Sequence, residues 1–503
     1  MSAAPAVRPR WTTAAVRAAW VLAALGSVLR LVGWLHDRSL WRDESSLAFN
    51  LLHRDFGSYT HPLALDQAAP LGFLGIEKAA IGLFGDSEQA MRLVPLLAGI
   101  ATLVLAVVLV RRHLDTATGL IAVGLLALSP RLIYYSSELK QYSSDVLVVV
   151  VILLVTSVAA GRRFRGPALV GFLGLAVLPW LSFPAAFVLG GAGLTLVIDG
   201  ARRRDRDQLR RVLGAGVVWV GSIGLLWLVQ ARSLGRNANL DLYWQYGFLP
   251  VPPHTSYGIE LWQHSWTDLS SQLAIGALGT VVMLLAILGA VAMVRAEPGL
   301  VGFLVAPLAI AIVASSRHIY PFLGRVSLWT VPLLAGLVAS GLTAGWRLVD
   351  ERFGSVRLRW IALLPAVVLL VPIVVVGVRD GVAPKGFEEL KPLVATLGDQ
   401  VEPGDIVLVD HYSWPAFTYY LDQLDIDGID ARQVGGTEPP SGEQLAGVDG
   451  HHRVWVVSSG DYEGADVGRT LTDTLDGSGA RVDTFRQVGA VLYLYDLAGE
   501  PTG

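Results

Sequence analysis

SLWRDESSLAF (39–49) sets Arg42, Asp43, Glu44 and Ser45 directly after an apolar run at 14–36. Two adjacent carboxylates at the end of a lipid-soluble segment decide how the chain is read. Charge at membrane depth costs several kcal/mol, so ionisable groups kept at such an edge mark function more often than chance. The plain alternative is an ordinary helix start, where acidic side chains favour the N-terminal turn.

The surrounding chain makes the membrane reading firm. Of 503 residues, 53% are hydrophobic and only 16% charged, against about 25% charged in soluble domains. Mean hydropathy is +0.52. Apolar runs recur near 14–36, 91–110, 117–134, 145–160, 167–181, 184–199, 212–231, 272–294, 299–315, 324–345 and 359–378. Each approaches the ~20 residues that cross a bilayer core. The expectation is a polytopic α-helical protein of about eleven spans, whose first span is retained and not cleaved.

Arginine collects in the loops holding Arg111–Arg112, GRRFRG (161–166), ARRRDRDQLRR (201–211), Arg295 and GWRLVDERFGSVRLRW (345–360). With eleven spans these loops share one side with the basic N-terminus, and that side is the cytoplasm. The segments 37–90, 135–144, 182–183, 232–271, 316–323 and everything beyond 380 then lie outside. Residues 380–503 carry 22 acidic and 7 basic groups, against 20 and 32 in the remainder. Two parts are therefore expected: a membrane domain, 1–379, and an acidic extracytoplasmic domain, 380–503. The tail alternates helix-like EELKPLVATLGDQV and WPAFTYYLDQL with strand-like DIVLVD, RVWVVSS and AVLYLYDL, which reads as α/β. The loop 37–90 contains amphipathic ESSLAFNLLHR (44–54) and APLGFLGIEKAAIGLFG (69–85), read as interfacial helices. There is no cysteine, so no disulfide or thiolate metal site forms.

Four polar clusters fall on the outer side. Asp43 and Glu44 offer a base, and oxygen ligands of the kind a divalent cation takes. YYSSELKQYSSD (134–145) supplies Glu138, Lys140, Tyr142 and Asp145; Lys140 is one of only four lysines. SSRHIYPFLGRVSLW (315–329) supplies His318, Tyr320 and Arg325, the last inside the following apolar run. HPLALDQAAP (61–70) supplies His61, Asp66 and Gln67 between two prolines that fix the turns. Cations at a membrane edge suit a phosphate-bearing lipid, although a snorkelling Arg and self-paired loop charges are open readings too. The aromatics of 243–266, with His254 and His264, read as an interface belt.

The Asp-Glu pair after the first span, the interfacial helices, and QAAPLGFLGIEKAAIGLFGDSEQAMRLVPLLAGI (67–100) together resemble the protein-O-mannosyltransferase-like (family thirty-nine-like) branch of the C-type glycosyltransferases. YYSSELKQYSSDV is similar to that branch's second polar loop, and YPFLGRVSLWTVPLLAGLVASG (320–341) to its late Tyr-Pro…Arg segment. The resemblance covers roughly 15–345 and is most specific over 40–100. It implies an inverting transfer of a sugar from a polyprenyl-phosphate donor to a hydroxyl of a glycan, lipid or protein on the outer face. Asp43 is then the general base and Glu44 its companion, with both as candidates for a divalent cation. Lys140 and Arg325, with His318 beside them, are expected at the donor phosphate. Gln67, Glu138, Tyr142, Tyr320 and His61 are expected to line the pocket. Lys-Gln-Tyr stands where relatives often show Arg-Pro-Tyr, which bears on Lys140. The acidic tail disfavours nucleic acid as a partner.

Two other classes fit the span count. A lipid or glycan flippase shares the lipid affinity, yet a carrier is expected to bury polar groups at the membrane midplane, and these spans are almost uncharged. A non-catalytic scaffold is expected to tolerate loss of both Asp43 and Glu44.

Overall fold

The computed structural model describes the chain except residues 1–10, 161–166, 235–237, 274–277, 354–355, 385, 436–447, 449–451, 461–466 and 499–503. The basic loop GRRFRG lies outside the described residues. Apolar sequence in lipid must satisfy every backbone polar group internally, and the α-helix does so within one segment. Among the described residues the eleven apolar runs are accordingly largely helical. The first half of the chain forms α1 (Thr13–Leu35), α2 (Arg42–His53), α3 (Leu71–Phe84), α4 (Glu88–Met91), α5 (Leu93–His113), α6 (Thr116–Leu128), α7 (Pro130–Tyr135), α8 (Tyr142–Ala160), α9 (Pro167–Gly174), α10 (Ala185–Arg203) and α11 (Arg206–Leu234). It continues with α12 (Ala238–Tyr243), α13 (Ser256–Ser271), α14 (Gly279–Ala296), α15 (Pro298–Ser316), α16 (Val331–Phe353) and α17 (Val356–Val382). Among the described residues, seven helical segments are long and apolar enough to cross a membrane, and three more are apolar but shorter.

α16 forms the centre of the bundle, with Val331, Leu333, Leu334, Ala335, Leu337, Val338 and Ala339 all buried. It meets α14 backbone to backbone. A Cβ on Gly289 would lie 1.9 Å from the Leu337 carbonyl oxygen, and one on Gly341 2.0 Å from that of Leu285. Small residues permit this approach, which apolar burial alone does not drive inside lipid.

The run 117–134 is not one helix. Ser129 ends α6 and caps α7, and Pro130 stands at the first position of α7. Proline has no N–H to give the carbonyl four residues back. Arg30, buried in α1, fills the gap: its guanidinium donates to Leu126 O at 3.0 Å, Ala127 O at 3.0 Å and Gly26 O at 2.8 Å.

The tail comprises α18 (Lys391–Gln400), α19 (Trp414–Gln423) and α20 (Val467–Asp476) around strands β1 (Ile406–Asp410), β2 (Asp430–Val434), β3 (Arg453–Ser459), β4 (Ala480–Gln487) and β5 (Ala490–Asp496). The sheet order is β2-β1-β3-β5-β4. β1 is parallel to β2 and β3, while β5 is antiparallel to β3 and β4. One apolar core joins this domain to the first loop of the chain: Leu40, Leu47, Ala48 and Leu51 pack with Leu390, Leu393, Phe417 and Tyr420. α19 therefore packs directly on α2 and carries the sheet with it.

Candidate active site

α2 begins at Arg42, so Asp43 and Glu44 are its second and third residues. Successive helical residues point about 100° apart, and the two carboxylates go to different places. Asp43 faces a cluster of polar side chains. Its Oδ2 lies 2.5 Å from Arg325 Nη2 and its Oδ1 3.5 Å from Lys140 Nζ. Gln67 Nε2 donates to Oδ1 at 3.5 Å, and Lys140 Nζ donates to Gln67 Oε1 at 2.5 Å. Leu65 and Asp66 adopt left-handed backbone, φ 60° and 54°, in the turn that presents Gln67.

Arg325 is delivered by a 3-10 segment, Gly324–Thr330, at the head of α16. Gly324 has φ 61° and donates its N–H to Asp268 Oδ2 at 2.5 Å. Arg325 Nε donates to the Tyr142 hydroxyl at 3.0 Å. Trp41, Tyr243 and Trp244 surround the guanidinium, with ring centroids 5.4, 6.0 and 5.8 Å away. Aromatic faces at this distance favour a cation.

Glu138 is fully buried, and neither carboxylate oxygen has a hydrogen-bond partner among the described residues. Burial, reinforced by the charges of Glu44 and Asp43, pushes its carboxyl up to about 8 despite Arg325 and Lys140. Asp43 goes the other way. Burial raises it, but Lys140, Arg325, Gln67 and Arg42 together outweigh burial and hold it below the usual carboxylate range. Burial, aided by the Arg325 charge, pulls the Lys140 ammonium below its ordinary value, opposed by Asp43 and Glu138. At neutral pH the cluster thus holds an ionised Asp43, a neutral Glu138 and at least one permanent cation.

Glu44 turns away from this cluster. Its Oε2 lies 2.6 Å from Arg92 Nη2, and its Oε1 accepts Arg92 Nε at 2.8 Å and the Leu139 N–H at 2.7 Å. Arg92 also donates to the Arg38 and Ser39 carbonyls. Glu44 therefore ties the first polar loop to the second. The expected cation site at Asp43 and Glu44 does not fit these donors, because one carboxylate is fully engaged by Arg92 and the other by two cations. No group of three His, Cys, Asp or Glu suited to a metal occurs among the described residues.

Two expected site residues lie apart from this cluster, and a third, Tyr320, stays near Tyr142 without offering its hydroxyl to the site. His318 is exposed, has φ 55°, and faces the Phe248 ring at 4.8 Å. His61 is exposed, with Nδ1 3.3 Å from the Thr60 hydroxyl. Tyr320 spends its hydroxyl on Val326 O at 2.8 Å and packs on Phe187. His318 and His61 are near Arg325 and Gln67 in sequence, but the intervening turns leave both exposed. Sequence reasoning did not single out Arg92 or Trp41, and it read Tyr243 and Trp244 as part of an interface belt, whereas both face the Arg325 guanidinium. A lone Arg at the head of an apolar run, as in QAMRLVPLL, was the available signal for Arg92.

Residues 68–235, about a third of the chain, match the family described as dolichyl-phosphate-mannose-protein mannosyltransferase, in keeping with the resemblance read in the sequence. No curated protein sequence matches the chain. Among solved structures, ArnT from Cupriavidus metallidurans bound to undecaprenyl phosphate is 15% identical, with 96% of this chain and 99% of that one covered at a TM-score of 0.54. The archaeal oligosaccharyltransferase AglB from Archaeoglobus fulgidus, in complex with an inhibitory peptide and a dolichol-phosphate, is 12% identical, with 96% and 74% covered at 0.55. At these identities the likeness establishes the fold alone: the chain shares the overall architecture of these two structures.

Proposed function

We propose that this multi-pass membrane protein transfers a sugar from a polyprenyl-phosphate carrier to a hydroxyl acceptor on the extracytoplasmic face, with inversion at the anomeric carbon. The observation that carries the reading is Asp43 held between Lys140 and Arg325. In the resting site the two cations neutralise Asp43. A donor phosphate entering the cluster competes for them, and a carboxylate that loses its cations becomes a stronger base. Asp43 then takes the acceptor O–H proton as that oxygen attacks the anomeric carbon. The bond from that carbon to the phosphate oxygen breaks, and polyprenyl phosphate leaves with the pair of electrons. Lys140 and Arg325 offset the charge that gathers on the departing phosphate, where fixed electrostatics matter most. Glu138, neutral at pH 7, leaves their charge to the phosphate. Tyr142 holds the Arg325 guanidinium in place, and Gln67 bridges the base and Lys140.

The acceptor is a glycan, a lipid or a protein hydroxyl. Mass spectrometry of lipid-linked sugars and envelope glycans in a deletion strain identifies donor and acceptor together. With that donor, purified Asp43→Asn in lipid nanodiscs is expected to lose about 10²–10⁴-fold in turnover, the range of a general base. Near wild-type turnover by Asp43→Asn overturns the base assignment.

A further inference from the structure

α2 has no side-chain N-cap of its own. Trp41 occupies that position in extended conformation and accepts nothing through its side chain. The first N–H groups of a helix need acceptors, and here they come from residues some 350 positions away. Glu388 Oε2 accepts the Arg42 N–H at 2.8 Å. Just upstream, Glu389 Oε2 accepts the Ser39 N–H at 3.0 Å, and the Tyr420 hydroxyl accepts the Leu40 N–H at 2.5 Å. The Arg42 guanidinium stacks 3.6 Å from the centroid of the Tyr412 ring.

The place of these groups in the sheet matters. β1 lies between two parallel neighbours, so the chain leaves its carboxyl end where an open α/β sheet forms a binding crevice. Asp410 ends β1, and Ser459 ends β3. Asp410 Oδ2 accepts the Ser459 N–H at 3.1 Å and the Ser413 hydroxyl at 2.5 Å. The Ser459 hydroxyl lies 3.5 Å from Glu388 Oε2. At this edge the first residue of α2 is held by Glu388, itself beside Ser459, and by Tyr412, two residues past β1.

We propose that Glu388 is a positioning residue for Asp43: it caps the helix that carries the base, so the C-terminal domain sets the geometry of the transfer site. The inference rests on the reading of Asp43 as the base. The groups facing Glu388 are Arg42 from α2, Asp410 from β1 and the Ser459 hydroxyl from β3. Burial pushes the Glu388 carboxyl up to about 7, opposed by Arg42 and aided by Asp410. Acidification from pH 8 to 6 therefore removes the charged cap.

The test uses the full chain in nanodiscs with Glu388→Gln, Glu388→Asp and Glu388→Ala. Hydrogen exchange of amides 42–46 is expected to quicken about tenfold in the Gln and Ala variants, in line with the loss of a charged cap. Using the donor recovered from the deletion strain, kcat should fall about tenfold with KM unchanged, and Glu388→Asp should restore part of it. Binding of undecaprenyl phosphate should stay within twofold. Unchanged protection in both the Gln and Ala variants overturns the proposal, as does a parallel loss of phosphate affinity and global stability. Loss of protection with an active Asp43→Asn refutes the base and leaves the helix clamp standing. An inactive Asp43→Asn with undisturbed Glu388 variants refutes the clamp alone.

Discussion

Glu44→Gln separates structure from chemistry at the Asp-Glu pair. Glu44 and Arg92 expose only 1% and 2% of their side chains, and three donors converge on the carboxylate. A neutral amide there leaves a buried guanidinium without its counter-charge, a change that costs about 3–5 kcal/mol. Unfolding entropy near 2.1 cal/mol/K per residue gives roughly 1 kcal/mol per degree for 503 residues. If the chain melts as one unit, the midpoint should fall by about 3–5 °C. Tryptophan fluorescence of the nanodisc-embedded protein measures this directly. Turnover, normalised to the folded fraction at low temperature, should fall far less than in Asp43→Asn. Replacing both partners with apolar residues, Glu44→Leu with Arg92→Met, should recover part of the loss; the Arg38 and Ser39 carbonyls that Arg92 holds prevent full recovery. A Glu44→Gln protein that melts at the wild-type temperature yet transfers no sugar refutes the structural role and returns Glu44 to the chemistry.

Arg325→Ala should raise the donor KM by about 10–100-fold, the worth of a charge-assisted contact of about 1.5–3 kcal/mol, while the bundle remains folded; an unchanged KM moves the phosphate elsewhere. Glu138 contributes a pH dependence of known sign. Its folded carboxyl, near 8, binds a proton that the unfolded group releases near 4.5, so stability from this group is full in acid and declines between those values. Melting from pH 5 to 9 should show that decline, and Glu138→Gln should flatten it; parallel curves for the two proteins refute the neutral buried acid.

Central strands and spans were legible in the sequence because burial on all sides writes continuous apolar runs. β1, β3 and β5 were readable for that reason, whereas β2 and β4 were not. They are the two edges of the sheet, and apart from the buried Val434 every position of DARQV and ARVDTFRQ is exposed or half-buried. The break at Pro130 was readable in principle, but the apolar run passed through it unbroken. Polar groups at the ends of apolar runs picked out Asp43, Lys140, Gln67, Tyr142 and Arg325, which the structure brings together. Direction was not legible. Asp43 and Glu44 are neighbours in sequence but about 100° apart on a helix, and only the position of Arg92 reveals which way each points. Glu388 was invisible for a different reason: its partner is a backbone amide 346 residues away.

The arginine inside α1 shows what an intramembrane charge can mean. Arg30 is buried and gives three of its N–H groups to carbonyls, that of Gly26 in α1 and those of Leu126 and Ala127 just ahead of the α6–α7 break. It works as a splint across a fracture in the neighbouring helix. That fracture lets α7 turn out of line and set the second polar loop, with Glu138 and Lys140, over Asp43. A full positive charge is thus immobilised in the bilayer to hold a bend in place, which is the behaviour of a rigid chemical bench and the opposite of what a moving gate requires.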